Sequence, residues 1–345
     1  QIVLKLKPDF PEAHYNLGLA FQQTQSRQEA YQHIEIAIQQ NPSFLLAYQS
    51  LSELLAEEPV NSNLYGNYTQ LFEINKSYFK NNAIYYNIMA NLFLKYGNIL
   101  KSISWLEEFY HWHPTEQMTL KNLMLLYEIN QQISKAIEIG LLLLQQKPQD
   151  SQIYLTLSSY YLQNSNQDSA INILQQGLIE LKDNRELLEK VSELYTHFNY
   201  IEEAILCYQH LIKLEPTNYT YYPSLAYLLE KKGQWLEAIE WYKKALKVTP
   251  EHFPLWNNLL NLFQLLGRPN SEYIQEALNI FPNNPALINF GIQSVLVNSA
   301  LTPEESFDYH CQVANQLTKS TEFVYIQFKN KYNQKHHKCD NKNFI

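Results

Sequence analysis

The chain has 345 residues, of which 46% are hydrophobic and 17% are charged, so its composition is that of a globular protein and excludes disorder as its general state. A net charge of −8 argues against a general affinity for nucleic acid. Three cysteines at unrelated spacings, Cys207, Cys311 and Cys339, give no disulfide framework and favour a reducing, cytoplasmic environment. No apolar run is long enough to span a membrane, and no signal peptide is visible.

The clearest pattern lies in the segment Tyr219–His252. Counted from Tyr219, large apolar residues stand at positions 4, 7 and 24, small residues at 8 and 20, glycine at 15 and proline at 32. These residues are Tyr222, Leu225, Tyr242, Ala226, Ala238, Gly233 and Pro250. Small residues let two helices cross closely, the glycine suits the left-handed end of a helix, and the proline blocks continuation. The pattern predicts an antiparallel helix pair that needs neighbours to bury its apolar face.

This 34-residue spacing resembles the tetratricopeptide-repeat family, and the same register recurs along the chain. Further units begin at Pro11, Leu45, Ala83, Gln117, Ser151, Arg185 and Phe253. The units between Ala83 and His252 keep the register without an insertion. The resemblance covers residues 11–284 and implies an all-α, right-handed superhelical solenoid of about eight antiparallel helix pairs.

The ends of the chain and one internal unit depart from the register. We predict an incomplete repeat at residues 1–8, a solenoid at 9–284 with a degenerate repeat at 45–82, capping helices at 285–320, and a weakly ordered basic tail at 321–345. The capping pair is indicated by an apolar stretch from Pro285 and by the helix start Thr302-Pro303-Glu304-Glu305. Because Gln1 falls inside a half unit, we expect the chain to be a piece of a longer one.

Motifs for catalysis or metal binding are absent from the sequence. The glycines form no phosphate-binding loop, and HExxH, GxSxG and CxxC do not occur. His111 and His113 suit a helix end before Pro114, and the tail pair at 336–337 lacks further ligands in its vicinity other than Cys339. We therefore predict that the chain itself is not an enzyme and binds no cofactor and no metal.

The family resemblance implies a binding groove, because the first helix of each unit lines the concave side of such a solenoid. The inward positions form an amide- and hydroxyl-rich surface, which can pair with the backbone of an extended peptide whatever its side chains. The predicted peptide-binding residues are Asn16, Asn87, Asn91, Lys121, Asn122, Gln152, Thr156, Lys190, Ser224, Tyr227, Asn257, Asn258 and Asn261. The expected partner is a protein or an extended peptide, with no nucleic acid and no membrane; the simpler interpretation is that these positions are polar because they face solvent.

A narrower resemblance concerns position 6, where asparagine stands in three units: Asn16, Asn122 and Asn258. This is similar to the asparagine ladder in the repeat arm of O-linked N-acetylglucosamine transferases and their SPINDLY-type bacterial relatives. The segment Leu301–Phe307, followed by His310 and Ala314, is similar to the segment that joins the repeats to the catalytic domain in some bacterial members. The resemblance implies an alternative function as the substrate-recognition arm of a truncated glycosyltransferase. A subunit that stacks through its unfinished ends is a third alternative.

Overall fold

The computed structural model describes residues 2–59, 64–268, 270–282 and 284–297. Every regular element within those ranges is helical, and consecutive helices pair through short turns. The predicted all-α fold of antiparallel helix pairs is therefore confirmed. The expected second capping helix and the basic tail at 321–345 lie outside the described residues.

The chain divides into two compact units, each containing several repeats: unit 1 is residues 1–187 and unit 2 is residues 188–345. The first unit contains α1 Ile2–Leu6, α2 Pro11–Gln23, α3 Arg27–Gln40, α4 Leu45–Glu57, α5 Leu64–Asn75, a 3₁₀ turn Lys76–Phe79, α6 Ala83–Lys95, α7 Ile99–Trp112, α8 Gln117–Ile129, α9 Ile133–Gln146, α10 Ser151–Gln163 and α11 Gln167–Glu180. Helix α12, Arg185–His197, crosses the boundary. The second unit continues with α13 Ile201–Leu214, α14 Tyr221–Lys231, α15 Trp235–Leu246, α16 Phe253–Leu265, α17 Ser271–Ile280 and α18 Pro285–Val297.

The turn inside each regular helix pair has the same backbone conformation, whatever residue occupies it. Position 15 has a positive φ in seven repeats: Gln25 59°, Gly97 76°, Gln131 57°, Ser165 56°, Asn199 63°, Gly233 82° and Gly267 60°. The next N–H then donates to the carbonyl five residues earlier, as in Gln132 to Tyr127 at 2.8 Å. This bond satisfies a carbonyl that the end of the first helix would otherwise leave free. The left-handed turn expected at Gly233 is therefore a property of the repeat.

Replacement of Gln131 by glycine is expected to raise the melting temperature. A residue with a Cβ atom is strained by about 1 kcal/mol in the left-handed conformation, and glycine's larger entropy in the unfolded chain offsets part of that gain. Thermal unfolding followed by circular dichroism measures the change. Gln131→Ala is the matched control, because alanine keeps the Cβ atom; an equal gain in both variants would rule out backbone strain as the cause.

The two helices of a pair approach closely at position 20. In six repeats this residue is small and has no exposed surface: Ala30, Ser102, Ala136, Ala170, Ala204 and Ala238. Glycine serves the same purpose at Gly18 on α2, where an added Cβ atom would lie 2.7 Å from the side chain of Ile34 on α3. The space between the helices is therefore already filled, as the sequence pattern predicts.

Ala238→Leu is expected to destabilise the second unit by about 1–3 kcal/mol, because the added carbons must displace the packed helix. Glu237→Leu is the matched control, since it adds the same side chain at an exposed position of the same helix. Chemical denaturation of both variants measures the difference. Equal stability of the two would contradict close packing at Ala238.

Several successive repeats are joined by a hydrogen bond between the first helix of one repeat and the proline that ends the preceding repeat. Position 4 donates to the carbonyl six residues earlier in these repeats: Tyr48 to Pro42 at 3.0 Å, Tyr154 to Pro148 at 3.0 Å, Tyr222 to Pro216 at 2.8 Å and Trp256 Nε1 to Pro250 at 2.7 Å. The aromatic rings are buried, so each one packs into the core and also satisfies a backbone carbonyl. The tyrosines at position 4 therefore do more than fill space.

The degenerate unit is closed by residues of the unit that follows it. Lys95, at the end of α6, donates through Nζ to the carbonyls of Leu55 at 3.2 Å and Glu58 at 3.1 Å. The hydroxyl of Tyr96 also donates to Leu55, at 3.0 Å. Because these carbonyls belong to the end of α4, Lys95 acts as a cap for that helix.

Candidate functional site

In the first unit, the first helices of the pairs lie beside one another, with α4 against α6 and α6 against α8. We call the exposed surface of α2, α4, α6, α8 and α10 the first-helix face of unit 1. Seven predicted residues belong to these helices: Asn16, Asn87, Asn91, Lys121, Asn122, Gln152 and Thr156. Their environments differ, and the differences show which amides are available to a ligand.

Two of the amides are bonded to each other inside the chain. The Nδ2 of Asn122 on α8 donates to the Oδ1 of Asn87 on α6. Asn87 in turn donates to the carbonyl of Ala83 at 2.7 Å, and only 4% of its surface is exposed. This pair ties neighbouring first helices together, so its hydrogen-bonding capacity is largely used within the fold.

A second group has partners close by on the protein surface; Lys121 and Gln152 are exposed, and Thr156 is half-buried. Lys121 Nζ lies 3.9 Å from a carboxylate oxygen of Asp150, and Gln152 donates to Glu186 at 2.8 Å. Thr156 donates to the backbone carbonyl of Gln152 at 2.8 Å. An exposed ion pair contributes little to stability, so a ligand can replace Asp150 beside Lys121 at small cost.

The remaining amides of this face are open. Asn16 on α2 and Asn91 on α6 are exposed, and neither forms a side-chain hydrogen bond to the part of the chain that the structure describes. Beside α6, α8 presents Leu125 and Ile129, which are 48% and 42% exposed. These leucine and isoleucine side chains occupy positions 9 and 13 of their repeat, on the same face of α8 as Lys121 at position 5. The predicted site was built from polar residues only and therefore does not include them. The face therefore combines free amides with apolar surface.

The second unit has a similar first-helix face on α12, α14 and α16, which carry Lys190, Ser224, Tyr227, Asn257, Asn258 and Asn261. Lys190 pairs with Glu193 at 3.2 Å. Asn258 donates to the hydroxyl of Tyr242 at 3.3 Å, and that hydroxyl donates to Glu230 at 2.8 Å. Asn258 is therefore bonded to the second helix of the preceding pair.

Asn261 is exposed and has no side-chain hydrogen bond to the described residues, and Asn257 is half-buried and likewise unbonded. One turn after Asn261, Leu265 is 63% exposed. Tyr227 on α14 is also exposed, with Lys231 Nζ 5.4 Å from the centre of its ring. The first-helix face of unit 2 thus repeats the combination of free amides and apolar surface.

A cavity of about 260 Å³ opens on the same unit, and it contains the predicted residue Ser224. It is lined by Glu189, Glu193, Tyr208, Thr220, Tyr221 and Ser224. The hydroxyl of Tyr221 donates to Glu189, so one carboxylate is already bonded. The two carboxylates favour a cationic over an anionic group at this place.

Several buried tyrosines donate to carboxylates that lie on other helices. Tyr160 on α10 donates to Glu128 on α8 at 2.6 Å, and Tyr127 donates to Glu107 at 2.6 Å. Burial first, and Glu108 second, raise the pKa of Tyr86 to about 12. A raised pKa means that the folded chain holds the phenolic proton more tightly than the unfolded chain.

Alkaline destabilisation is therefore expected, and the sign follows from linkage. A tyrosine with a raised pKa contributes stability that is fully present below the unfolded value near 10 and is lost as the pH rises toward its folded value of about 12. Tyr86→Phe should melt at a lower temperature near neutrality and lose less stability above pH 10. Tyr219→Phe, at an exposed ring, is the control. Parallel pH profiles for wild type and Tyr86→Phe would contradict the linkage.

The described residues also limit the kinds of site present. None of their helices is long and apolar enough to cross a bilayer. Nor do they bring together three or more His, Cys, Asp or Glu side chains in an arrangement that could hold a metal ion.

Comparison with known proteins agrees with the repeat pattern. The sequence model described as tetratricopeptide repeat matches residues 219–252. The BBSome complex member BBS4 of Bos taurus is 26% identical over 106 residues, which is 31% of this chain and 20% of BBS4, so the match spans about a fifth of that relative's length.

Among solved structures, Naa15/Naa10 bound to HypK-THB is similar over 87% of this chain and 45% of the matched chain, with a TM-score of 0.53 and 15% identity. A crystal structure of MamA protein matches 54% of this chain and 98% of its own, with a TM-score of 0.39 and 16% identity. The class of protein is thus an all-α array of helix pairs. Its resemblance to the tetratricopeptide-repeat family is confirmed, with residues 219–252 as the matching repeat.

Proposed function

We propose that the chain is a non-catalytic, cytoplasmic scaffold that binds an extended segment of a partner protein on the first-helix faces of its two units. The observation that carries the proposal is the pairing of unbonded amides with exposed apolar side chains on the same first helix or on the neighbouring one. In unit 1 these are Asn91 with Leu125 and Ile129, and in unit 2 they are Asn261 with Leu265. Leu125 and Ile129 lie one turn apart on α8, so their exposed surfaces are neighbours and not single scattered apolar residues.

The chemistry of these faces suits a peptide backbone. An asparagine side chain both donates and accepts, so it can pair with one N–H and one C=O of an extended chain. Neighbouring leucine and isoleucine side chains then cover the apolar side chains of the peptide and exclude water. The same faces carry both positive and negative side chains, so they have no general attraction for a polyanion.

The bonded asparagines have a different role in this proposal. Asn122 and Asn258 hold neighbouring helices in register, and Asn91 and Asn261 contact the ligand. The narrower resemblance to glycosyltransferase repeat arms depends on position 6, which Asn122 and Asn258 occupy. This resemblance stays a prediction, and the alternative function that it implies is that of a substrate-recognition arm. The description of BBS4 as a complex member fits a role in protein association.

The test is a selection of random peptides displayed on phage against the full chain, followed by calorimetric affinities for the peptides that are enriched. Asn91→Ala and Asn261→Ala are each expected to weaken binding roughly 2- to 10-fold, the value of one exposed hydrogen bond, without a change in melting temperature. Asn172→Ala is the matched control, because Asn172 is exposed on the second helix α11.

The outcomes separate binding from stability. Equal losses in Asn172→Ala, or unchanged affinity in both groove variants, would contradict the assignment of the faces. Failure to enrich any peptide would contradict peptide binding itself. Asn122→Ala should lower the melting temperature, because it leaves the buried Oδ1 of Asn87 without its donor.

A further inference from the structure

The first helix pair is joined by two histidines that face each other. The Nδ1 of His14 on α2 lies 2.9 Å from the Nδ1 of His33 on α3, which is a hydrogen-bond distance. Two such nitrogens can form a hydrogen bond only if one carries a proton and the other does not. The contact therefore depends on the number of protons that the pair holds.

The other nitrogen of His14 fixes which atom carries the proton. His14 Nε2 lies 3.2 Å from the carbonyl of Pro8, which also accepts from Gln40 at 3.1 Å. A carbonyl only accepts, so Nε2 donates, and in neutral His14 the Nδ1 is then the acceptor for an N–H of His33. The ring of Phe21 stacks on His33, with centroids 5.5 Å apart. The arrangement links α2, α3 and the chain before α2.

The first proton and the second have different effects. With one added proton, the two rings still share a single hydrogen between their Nδ1 atoms, because the ring that stays neutral can carry its own hydrogen on Nε2, and the bond is kept. With a second proton, both Nδ1 atoms carry hydrogen, the bond is lost and two positive charges lie close together. Burial and the charge of His14 lower the pKa of His33, in the direction that this repulsion requires.

The surrounding charges do not remove the repulsion. Four acidic groups of this region are exposed on α2, on α3, on α4 and before α2: Glu12, Glu29, Glu53 and Asp9. The remaining charged groups of the packed helices are engaged or exposed: Lys7 lies 5.0 Å from the ring of Phe10, Glu35 accepts from Gln39 and Tyr68, Arg27 pairs with Glu57 and Glu58, and Lys5 on α1 is exposed. The tyrosines of these helices, Tyr15, Tyr31 and Tyr48, are uncharged near neutral pH.

We propose that His14 and His33 form a proton-operated latch, which holds α2 against α3 at neutral pH and opens when both imidazoles are protonated. Opening frees the segment of α2 that carries Asn16, so the unit-1 face loses one end in acid. The sign is set by linkage: the open hairpin binds one proton more than the closed hairpin, so closure is complete above the ordinary histidine pKa near 6.5 and weakens below it. Each pH unit below about 6 raises the opening equilibrium about tenfold.

The test is amide hydrogen exchange of the full chain, measured by mass spectrometry at pH values between 7.5 and 5.2 and corrected for intrinsic exchange. Peptides from α2 and α3 are expected to open about tenfold more often at the acid end. Peptides from α8 and α9 form the internal control, because residues 117–146 contain no histidine. His33→Gln should abolish the selective response, since glutamine can still donate to His14 but cannot gain a charge.

His252→Gln is the matched control, because His252 is exposed in the second unit, and it should keep the response. If His33→Gln does not fold, His14→Gln replaces it. The wild-type imidazole resonances, followed by NMR, should then show two separate protonation steps for the pair. Equal acid responses in wild type and His33→Gln, an unselective response along the chain, or independent ordinary titrations of the two rings would each overturn the latch. Loss of peptide binding at neutral pH would bear on the proposed function and not on the latch.

Discussion

The end of each helix pair imposes the constraint on which stacking depends. The turn after a second helix contains a proline carbonyl without an intrahelical partner, and the apolar side of that helix has no cover within its own pair. In several repeats, one residue of the following first helix satisfies both needs, as Tyr154 and Trp256 show by packing their rings into the core while donating to Pro148 and Pro250. A phenylalanine could fill the same space but would leave the carbonyl unsatisfied. The same side chain therefore contributes both to stacking and to the closure of the turn between repeats.

The irregular unit of residues 45–82 shows how this constraint is met when the register fails. Its second helix, α5, is followed by a 3₁₀ turn, and no proline closes it. Instead, the ring of Tyr85 stacks on Phe79 at 4.0 Å, and its hydroxyl donates to the carbonyl of Phe72 at 2.6 Å. Lys95 caps the first helix of the same unit from α6. The following unit therefore supplies the contacts that the degenerate sequence lacks.

The register could be predicted from the sequence because it depends on residue size and backbone conformation. Small residues at position 20 and the left-handed turn at position 15 are local requirements, so each can be recognised from the residues of a single repeat. The partners of polar side chains could not be predicted in the same way. Position 6 indicates the direction in which Asn122 points, but its partner Asn87 lies 35 residues away. Because hydrogen-bond length and angle decide such contacts, the pattern could not separate the bonded asparagines from the open ones.

This separation divides one residue type into two structural groups. Asparagines between first helices, such as Asn122, join neighbouring pairs, and asparagines one turn further along, such as Asn91, form no side-chain hydrogen bond to the described residues. Both depend on the joins between units. At the first join, position 4 is His14, where several other repeats place a tyrosine or tryptophan whose donor group does not titrate near neutral pH. Tyr48 and Trp256 hold their proline carbonyls in acid and at neutrality alike. His14 must share its second nitrogen with His33, so acid acts on the first helix pair and leaves those other joins intact.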